Sequence, residues 1–219
     1  MIRAARLACS CLVGLAAGPA SAQDFYSPDI ARPGFALARI KPGPRVSFYR
    51  GDDTPGCPAL TERCRRRAYL VAGDLVLTGK VHGALIEAGF ADGSGQVTIG
   101  WLPARSVGRV PIPAATRASW RGSWSGDEAR IEIAPGPPGR LAVSGEATWG
   151  MHDPDRVRAG VNYGNFSGEA APAGDSMTII DTEESNCRVS LRLIGPYLIA
   201  ADNLQCGGVN VTFSGLYRR

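Results

Sequence analysis

The sequence is poor in the residues that most catalytic and metal sites require. Its 219 residues include only two histidines, His82 and His152. Neither stands at a spacing that matches a metal-binding or nucleophile signature. His82 precedes Gly83 in a predicted turn, and His152 lies in a polar stretch that contains Pro154. We therefore predict a non-catalytic protein with no metal, no cofactor and no catalytic residue.

A long apolar run is also missing. The apolar run near the N-terminus covers residues 7–17, which is shorter than the roughly 18 residues of a membrane-spanning helix. Arg3 and Arg6 precede this run, and small residues follow it at positions 20–22, as in a secretory signal peptide. We expect residues 1–22 to be cleaved off, leaving a soluble protein with no transmembrane segment. Its expected location is periplasmic or secreted.

The sequence also lacks the concentrated positive charge that a nucleic-acid-binding protein needs. Residues 23–119 hold 13 basic and 8 acidic side chains, whereas residues 120–219 hold 9 and 12. The two halves therefore carry net charges of +5 and −3. This modest and divided charge, together with export, excludes nucleic acid as the expected partner.

Four of the six cysteines remain after the signal peptide is removed. In an oxidising compartment an even number of cysteines indicates disulfides, and four cysteines allow three pairings. We predict that Cys57 pairs with Cys64 and that Cys187 pairs with Cys206, because each pair is close in sequence and lies within one predicted domain. The alternative, a metal site, lacks close paired spacing and histidines.

Prolines divide the mature chain into two predicted domains. Prolines at positions 28, 33, 42 and 44 indicate that residues 23–44 form an extended leader. Pro111 and Pro113 lie in a stretch without periodicity, so residues 108–119 are predicted to be a linker. The expected domains are therefore residues 45–107 and 120–219.

The first domain carries short apolar segments separated by glycine-containing corners. Residues 74–78 and 84–90 are rich in Leu, Val, Ile and Phe, which favours half-buried strands. The strand at 45–49, the loop from Cys57 to Cys64, the Gly73-Asp74 corner and the closing Gly100-Trp101-Leu102-Pro103 resemble a bacterial SH3-like domain.

This resemblance implies a small barrel that binds a cell-wall peptide or another envelope partner. The binding surface would be centred on Trp101, with Tyr49 and Phe90 as neighbours and with Arg65, Arg66 and Arg67 at its rim. Aromatic side chains give a large contact area, and arginine pairs with the carboxylates of wall peptides. Two interpretations of Trp101 stay open, a binding surface and a core residue.

The second domain shows alternation of apolar and polar residues almost to its end. Ile131 and Ile133 alternate with charged residues, and Val189, Leu191 and Leu193 alternate with polar or charged ones. We predict about eight strands, at 119–124, 129–134, 140–149, 164–170, 176–181, 188–194, 197–202 and 209–217. They form an up-and-down barrel or a sandwich. The opening Gly122-Ser123-Trp124 and the Leu-x-Val-x-Gly segment at 141–145 are similar to the first strands of small lipocalin-like and avidin-like barrels. This resemblance implies an architecture and no ligand.

The sequence thus predicts an exported, all-β, non-catalytic protein that binds peptidoglycan or an envelope protein. One alternative is a periplasmic inhibitor of a secreted hydrolase such as a lysozyme, with acidic residues Asp181, Glu183 and Glu184 as a contact loop. A second alternative is a small enzyme whose site contains His152 and a carboxylate. Nothing in the sequence indicates an oligomeric state.

Overall fold

The protein is built from two antiparallel β-sheets, and this confirms the predicted all-β fold class. The computed structural model describes residues 34–181 and 186–219, so the predicted signal peptide lies outside the described residues. One sheet has seven strands and the other has eight. In the described part of the chain, no helix has the length and apolarity that crossing a membrane would require.

The first sheet contains the strands β1 (Ala36–Ile40), β2 (Val46–Tyr49), β3 (Arg65–Leu70), β4 (Leu75–His82), β5 (Leu85–Ala91), β6 (Val97–Pro103) and β7 (Val107–Arg109). Their spatial order is β3-β2-β6-β5-β4-β1-β7. A 3-10 turn at Ala104–Ser106 joins β6 to β7. The core of this sheet includes Ile40, Phe48 and Leu102, which are all at most 1% exposed.

The first sheet extends beyond the predicted bounds of 45–107 on both sides. β1 comes from the stretch expected to be a leader, and it pairs with both β4 and β7. β7 runs into the stretch expected to be a linker. The prolines that suggested a leader flank Ala36–Ile40 without interrupting it, so all five residues keep the backbone N–H groups that a strand needs.

The second sheet contains β8 (Gly122–Gly126), β9 (Ala129–Pro135), β10 (Leu141–Trp149), β11 (Asn162–Ala170), β12 (Ser176–Asp181), β13 (Cys187–Ile194), β14 (Tyr197–Asp202) and β15 (Gly215–Arg218). Its order is β11-β10-β9-β8-β15-β14-β13-β12. Neighbours in sequence are therefore neighbours in space, and the last strand returns to pair with the first. Of the two architectures predicted for this region, the structure shows the up-and-down barrel.

The barrel interior is filled by side chains. Trp124, Ile131 and Val189 are fully buried, and the rings of Phe166 and Phe213 meet edge to face at 4.7 Å. A short helix, α1 (Arg117–Trp120), begins at the capping residue Thr116 and buries Trp120 against the same core. An eight-stranded barrel has an interior just wide enough for such a packed core.

In the part of the barrel that the structure describes, one seam lacks a ladder of backbone hydrogen bonds. Among the described residues β11 and β12 are the two ends of the sheet order. Asp181 at the end of β12 is 5% exposed, and its carboxylate accepts a hydrogen bond of 2.8 Å from the backbone N–H of Ser167 on β11. The barrel is therefore nearly closed, and a carboxylate helps to bridge the remaining seam.

An apolar cluster joins the two sheets. Leu37 and Leu77 of the first sheet pack with Ile199 and Leu216 of the barrel, and all four are at most 3% exposed. The hydroxyl of Tyr197, also buried in this cluster, donates a hydrogen bond to the carbonyl of Leu75. The polar contacts at the cluster's edge include one from Arg218 Nη1 to the carbonyl of Ala91, at 3.0 Å. β14 is consequently covered on both faces.

Both predicted disulfides are confirmed. Cys57 is bonded to Cys64 in the loop before β3, and Cys187 is bonded to Cys206. The second bridge ties the start of β13 to the segment that follows β14. Two disulfides fit a protein that folds in an oxidising compartment.

Candidate binding site

Strand register places part of the predicted binding surface in one row across the first sheet. Tyr49 on β2 lies opposite Trp101 on β6 and also opposite Arg65 on β3. Trp101 in turn lies opposite Glu87 on β5. Residues that face each other in an antiparallel ladder point to the same side of the sheet. The structure therefore brings Arg65, Tyr49 and Trp101 together.

Trp101 is half-buried rather than fully exposed. Its ring meets the ring of His82 edge to face at 6.1 Å. On another side the indole Nε1 approaches Gly51 so closely that a Cβ there would lie 3.4 Å away. Trp101 packs along the row and leaves only part of its surface for a ligand.

Phe90 lies on the opposite side of the sheet. It faces Thr98, which is three residues from Trp101 along β6, so the two aromatic side chains point in opposite directions. Phe90 packs against the core of the first sheet, and the guanidinium of Arg218 lies 5.6 Å from its ring. The structure does not bring Phe90 to the predicted surface.

The three arginines at 65–67 form the first half of strand β3. Arg65 and Arg67 are exposed. Arg66 is half-buried and donates a hydrogen bond of 2.6 Å to the carbonyl of Ile99 on β6. Arg65 and Arg67 are therefore available to a ligand, and Arg66 holds the edge of the sheet together.

A basic groove opens beside Tyr49. It has a volume of about 490 Å³ and lies between the turn after β1 and the 3-10 turn after β6. Its cationic lining residues are Lys41, Arg45, Arg65 and Arg105, all exposed, and its described lining includes no acidic side chain. Lys41 Nζ donates a hydrogen bond of 3.0 Å to the carbonyl of Arg105, which ties the two turns together.

A second hollow of about 470 Å³ continues the groove toward the edge of the sheet. It shares Arg45 and Arg65 with the first and adds Arg67 and Tyr69. The guanidinium of Arg45 lies 4.4 Å from the centre of the Tyr69 ring, within cation–π range. The two hollows together form one basic face, which consists of the side chains of Lys41, Arg45, Tyr49, Arg65, Arg67, Tyr69 and Arg105.

The ion pair between the basic face and Glu62 contributes little energy. Arg65 Nη1 lies 3.0 Å from Glu62 Oε1, but the Glu62 side chain is 86% exposed. Exposed ion pairs contribute roughly 0–1 kcal/mol, so an incoming anion can replace Glu62 at little cost. A surface with five cations around two tyrosines attracts carboxylates and phosphates and can hold them bidentately through arginine.

Sequence reasoning found Tyr49, Arg65 and Arg67 but missed Lys41, Arg45 and Arg105. These three residues are separated by up to 64 positions in the chain. No local pattern links Arg105 to the other two, because two strand pairings, β1 with β7 and β2 with β6, bring their turns together. The isolated basic residues of the Lys41-Pro42-Gly43-Pro44-Arg45 turn are the one local signal that could have drawn attention to this end of the sheet.

The residues suggested for the alternatives lie far from the basic face in the chain. His152 Nε2 is 3.6 Å from Asp127 Oδ1, and both side chains are more than half exposed. Asp181 is buried in the barrel seam, while Glu183 and Glu184 lie outside the described residues. Within the described ranges, 34–181 and 186–219, no group of three His, Cys, Asp or Glu residues could hold a metal ion.

Comparison with known proteins gives no likeness from which a ligand could be transferred. No protein-family model, curated protein or solved structure matches this chain. The case for the basic face therefore depends on its geometry and charge.

Proposed function

We propose that this chain is an exported, non-catalytic protein of the cell envelope whose basic face binds anionic groups of the cell wall. The observation that carries the proposal is the groove beside Tyr49, in which one lysine and three arginines converge without an acidic side chain in the described lining. Carboxylates of wall peptides fit such a groove, because arginine binds them through two parallel hydrogen bonds.

The tyrosines add contact area to the charge that the basic residues give the proposed site. Tyr49 and Tyr69 contribute ring faces with few rotatable bonds, so they bind a ligand at low entropic cost. Trp101 lies opposite Tyr49 on the neighbouring strand. The resemblance to SH3-like domains supports the same role, and the predicted signal peptide and the two disulfides support export to the periplasm or beyond.

The test is co-sedimentation of the purified protein with purified peptidoglycan at low salt, where electrostatic attraction is strongest. We expect the triple variant Arg45→Ser, Arg65→Ser, Arg105→Ser to bind about 5- to 150-fold more weakly, from roughly 1–3 kcal/mol for three exposed ion pairs. A matched variant that changes Arg109, Arg117 and Arg158 to Ser loses the same charge outside the groove. It should bind like the unaltered protein.

Two outcomes contradict the proposal. One is that the unaltered protein does not sediment with the wall at low salt. The other is that both triple variants lose binding equally, because the attraction would then depend on net charge and not on the groove. Equal melting temperatures of the three proteins show that any loss is not due to unfolding.

A further inference from the structure

The outer wall of the barrel carries a second groove, which differs in chemistry from the basic face. Two adjoining hollows of about 550 and 520 Å³ lie over β8, β9, β10 and β11. They share Arg130, Glu146 and Asn165 as lining residues. The two hollows therefore form one continuous groove, and these three side chains lie at its centre.

Register explains why these side chains form a line. Ser125 lies opposite Arg130, Arg130 lies opposite Glu146, and Glu146 lies opposite Asn165. Neighbouring strands are about 4.8 Å apart, so a row across four strands is about 14 Å long. A parallel row beside it has the order Ser123, Glu132, Ser144, Ser167. The result is a polar strip that crosses four strands.

One wall of this groove comes from the first sheet. Ser94, in the turn between β5 and β6, lines the groove. Asp92 fixes that turn, because its Oδ1 accepts hydrogen bonds from the backbone N–H and the hydroxyl of Ser94, at 2.9 and 2.6 Å. The next residue, Gly95, touches the barrel so closely that a Cβ would lie 2.9 Å from the carbonyl of Gly126. The opposite side is marked by Tyr163, which is 65% exposed.

The charged groups of the groove are already paired, with one exception. Arg130 Nε and Glu132 Oε1 form an ion pair at 2.7 Å. Glu128 accepts hydrogen bonds from the backbone N–H groups of Gly150 and His152, at 3.1 and 2.9 Å. Within the part of the chain that the structure describes, the side chains of Glu146 and Asn165 have no hydrogen-bond partner. A free carboxylate and a free amide thus remain at the centre.

We propose that this groove binds a saccharide chain that carries hydroxyl groups and no acidic groups. The Glu146 carboxylate accepts hydrogen bonds from hydroxyls, and the Asn165 amide both donates and accepts them. The exposed ring of Tyr163 offers a flat apolar surface for the C–H face of a sugar ring. The unpaired carboxylate repels acidic sugars, so the groove and the basic face select opposite ligands.

The experiment titrates the full-length protein with three neutral tetrasaccharides, cellotetraose, N-acetylchitotetraose and mannotetraose, and with tetragalacturonate. Binding is measured by calorimetry. We expect at least one neutral probe to bind and the acidic probe to bind more weakly than it. Glu146→Ala and Asn165→Ala should each weaken the neutral probe about tenfold, the effect of losing one hydrogen bond to a charged or amide group.

The controls separate this site from the basic face. Asp52→Ala removes an exposed carboxylate from the loop between β2 and β3. It should leave saccharide binding unchanged, as should the triple arginine variant of the basic face. Binding of tetragalacturonate alone, binding of no probe, or equal binding by Glu146→Ala, Asn165→Ala and the unaltered protein would each overturn the proposal.

Discussion

Replacing Leu37 with alanine tests whether the two sheets are held together by their shared cluster. Leu37 lies on β1 between β4 and β7, and it is 3% exposed. Its side chain contacts the barrel at Gly195, where a Cβ would lie 2.9 Å from Leu37 Cδ2. Gly195 has no side chain that could move into the space left by the leucine.

The expected cost follows from the burial of this side chain. Truncating a buried leucine to alanine costs about 2–5 kcal/mol, and sites that cannot collapse lie above the low end. We therefore expect a loss of about 3 kcal/mol in the free energy of unfolding, which lowers the melting temperature by about 6–12 °C for a chain of this size.

The assay is a double-mutant cycle with Ile199→Ala, measured by urea unfolding and by calorimetry. Ile199 lies on β14 in the same cluster and is 1% exposed. Residues that share a cavity show coupling energies of about 0.5–3 kcal/mol, so the two truncations should not add. Leu70→Ala is the control, because Leu70 is buried in the core of the first sheet and outside the shared cluster.

Independent sheets would give a different result. The calorimetric trace would then contain two transitions. Leu37→Ala would shift the transition of the first sheet, and Ile199→Ala would shift that of the barrel. The reasoning would be refuted if the energies of Leu37→Ala and Ile199→Ala added strictly, as those of Leu70→Ala and Ile199→Ala are expected to do.

Two further predictions concern alkaline pH and the disulfides. Burial raises the pKa of Tyr197 from 10.0 to about 12. The contribution of this shift to the free energy of unfolding is therefore fully present below pH 10.0 and is lost as the pH rises through about 12. Tyr197→Phe should flatten the curve of stability against pH in this range, and an unchanged curve would contradict the assignment. Replacing Cys187 and Cys206 together by alanine should lower the free energy of unfolding by about 3 kcal/mol, because this bridge spans 19 residues. Replacing Cys57 and Cys64, which are 7 residues apart, should lower it by about 2.5 kcal/mol. The reverse order in urea unfolding would contradict this prediction.

The barrel could be predicted from the sequence because several of its strands, such as β9, β10 and β12, have one face buried and the other solvated. Ile131 and Ile133 show this alternation, and β9 lies where it predicts. The predicted last strand at 209–217 is shorter in the structure, since only Gly215–Arg218 forms β15. The buried Asp202 carboxylate accepts hydrogen bonds from the Phe213 N–H and the Ser214 hydroxyl, which fix the preceding segment outside the ladder.

The first sheet was harder to predict because its signals are short or hidden. β1 has only five residues and lies between prolines. β3 begins with three consecutive arginines, a pattern that is more typical of a solvated loop. The candidate site was only half predictable for a related reason. Tyr49, Trp101 and Arg65 have local signals, but Lys41 and Arg105 join them through pairing between strands that are distant in sequence.

The seam between β11 and β12 has a consequence for behaviour at high protein concentration. Unpaired strand edges are templates on which another copy of a chain can add a strand, and inward-pointing charges are one way in which proteins prevent this. At the seam the Asp181 carboxylate bonds the Ser167 N–H of the facing strand. An invading strand would have to break that bond, and the loss of a hydrogen bond to a buried carboxylate is unfavourable. The same residue that helps to bridge the seam thus disfavours edge-to-edge aggregation there.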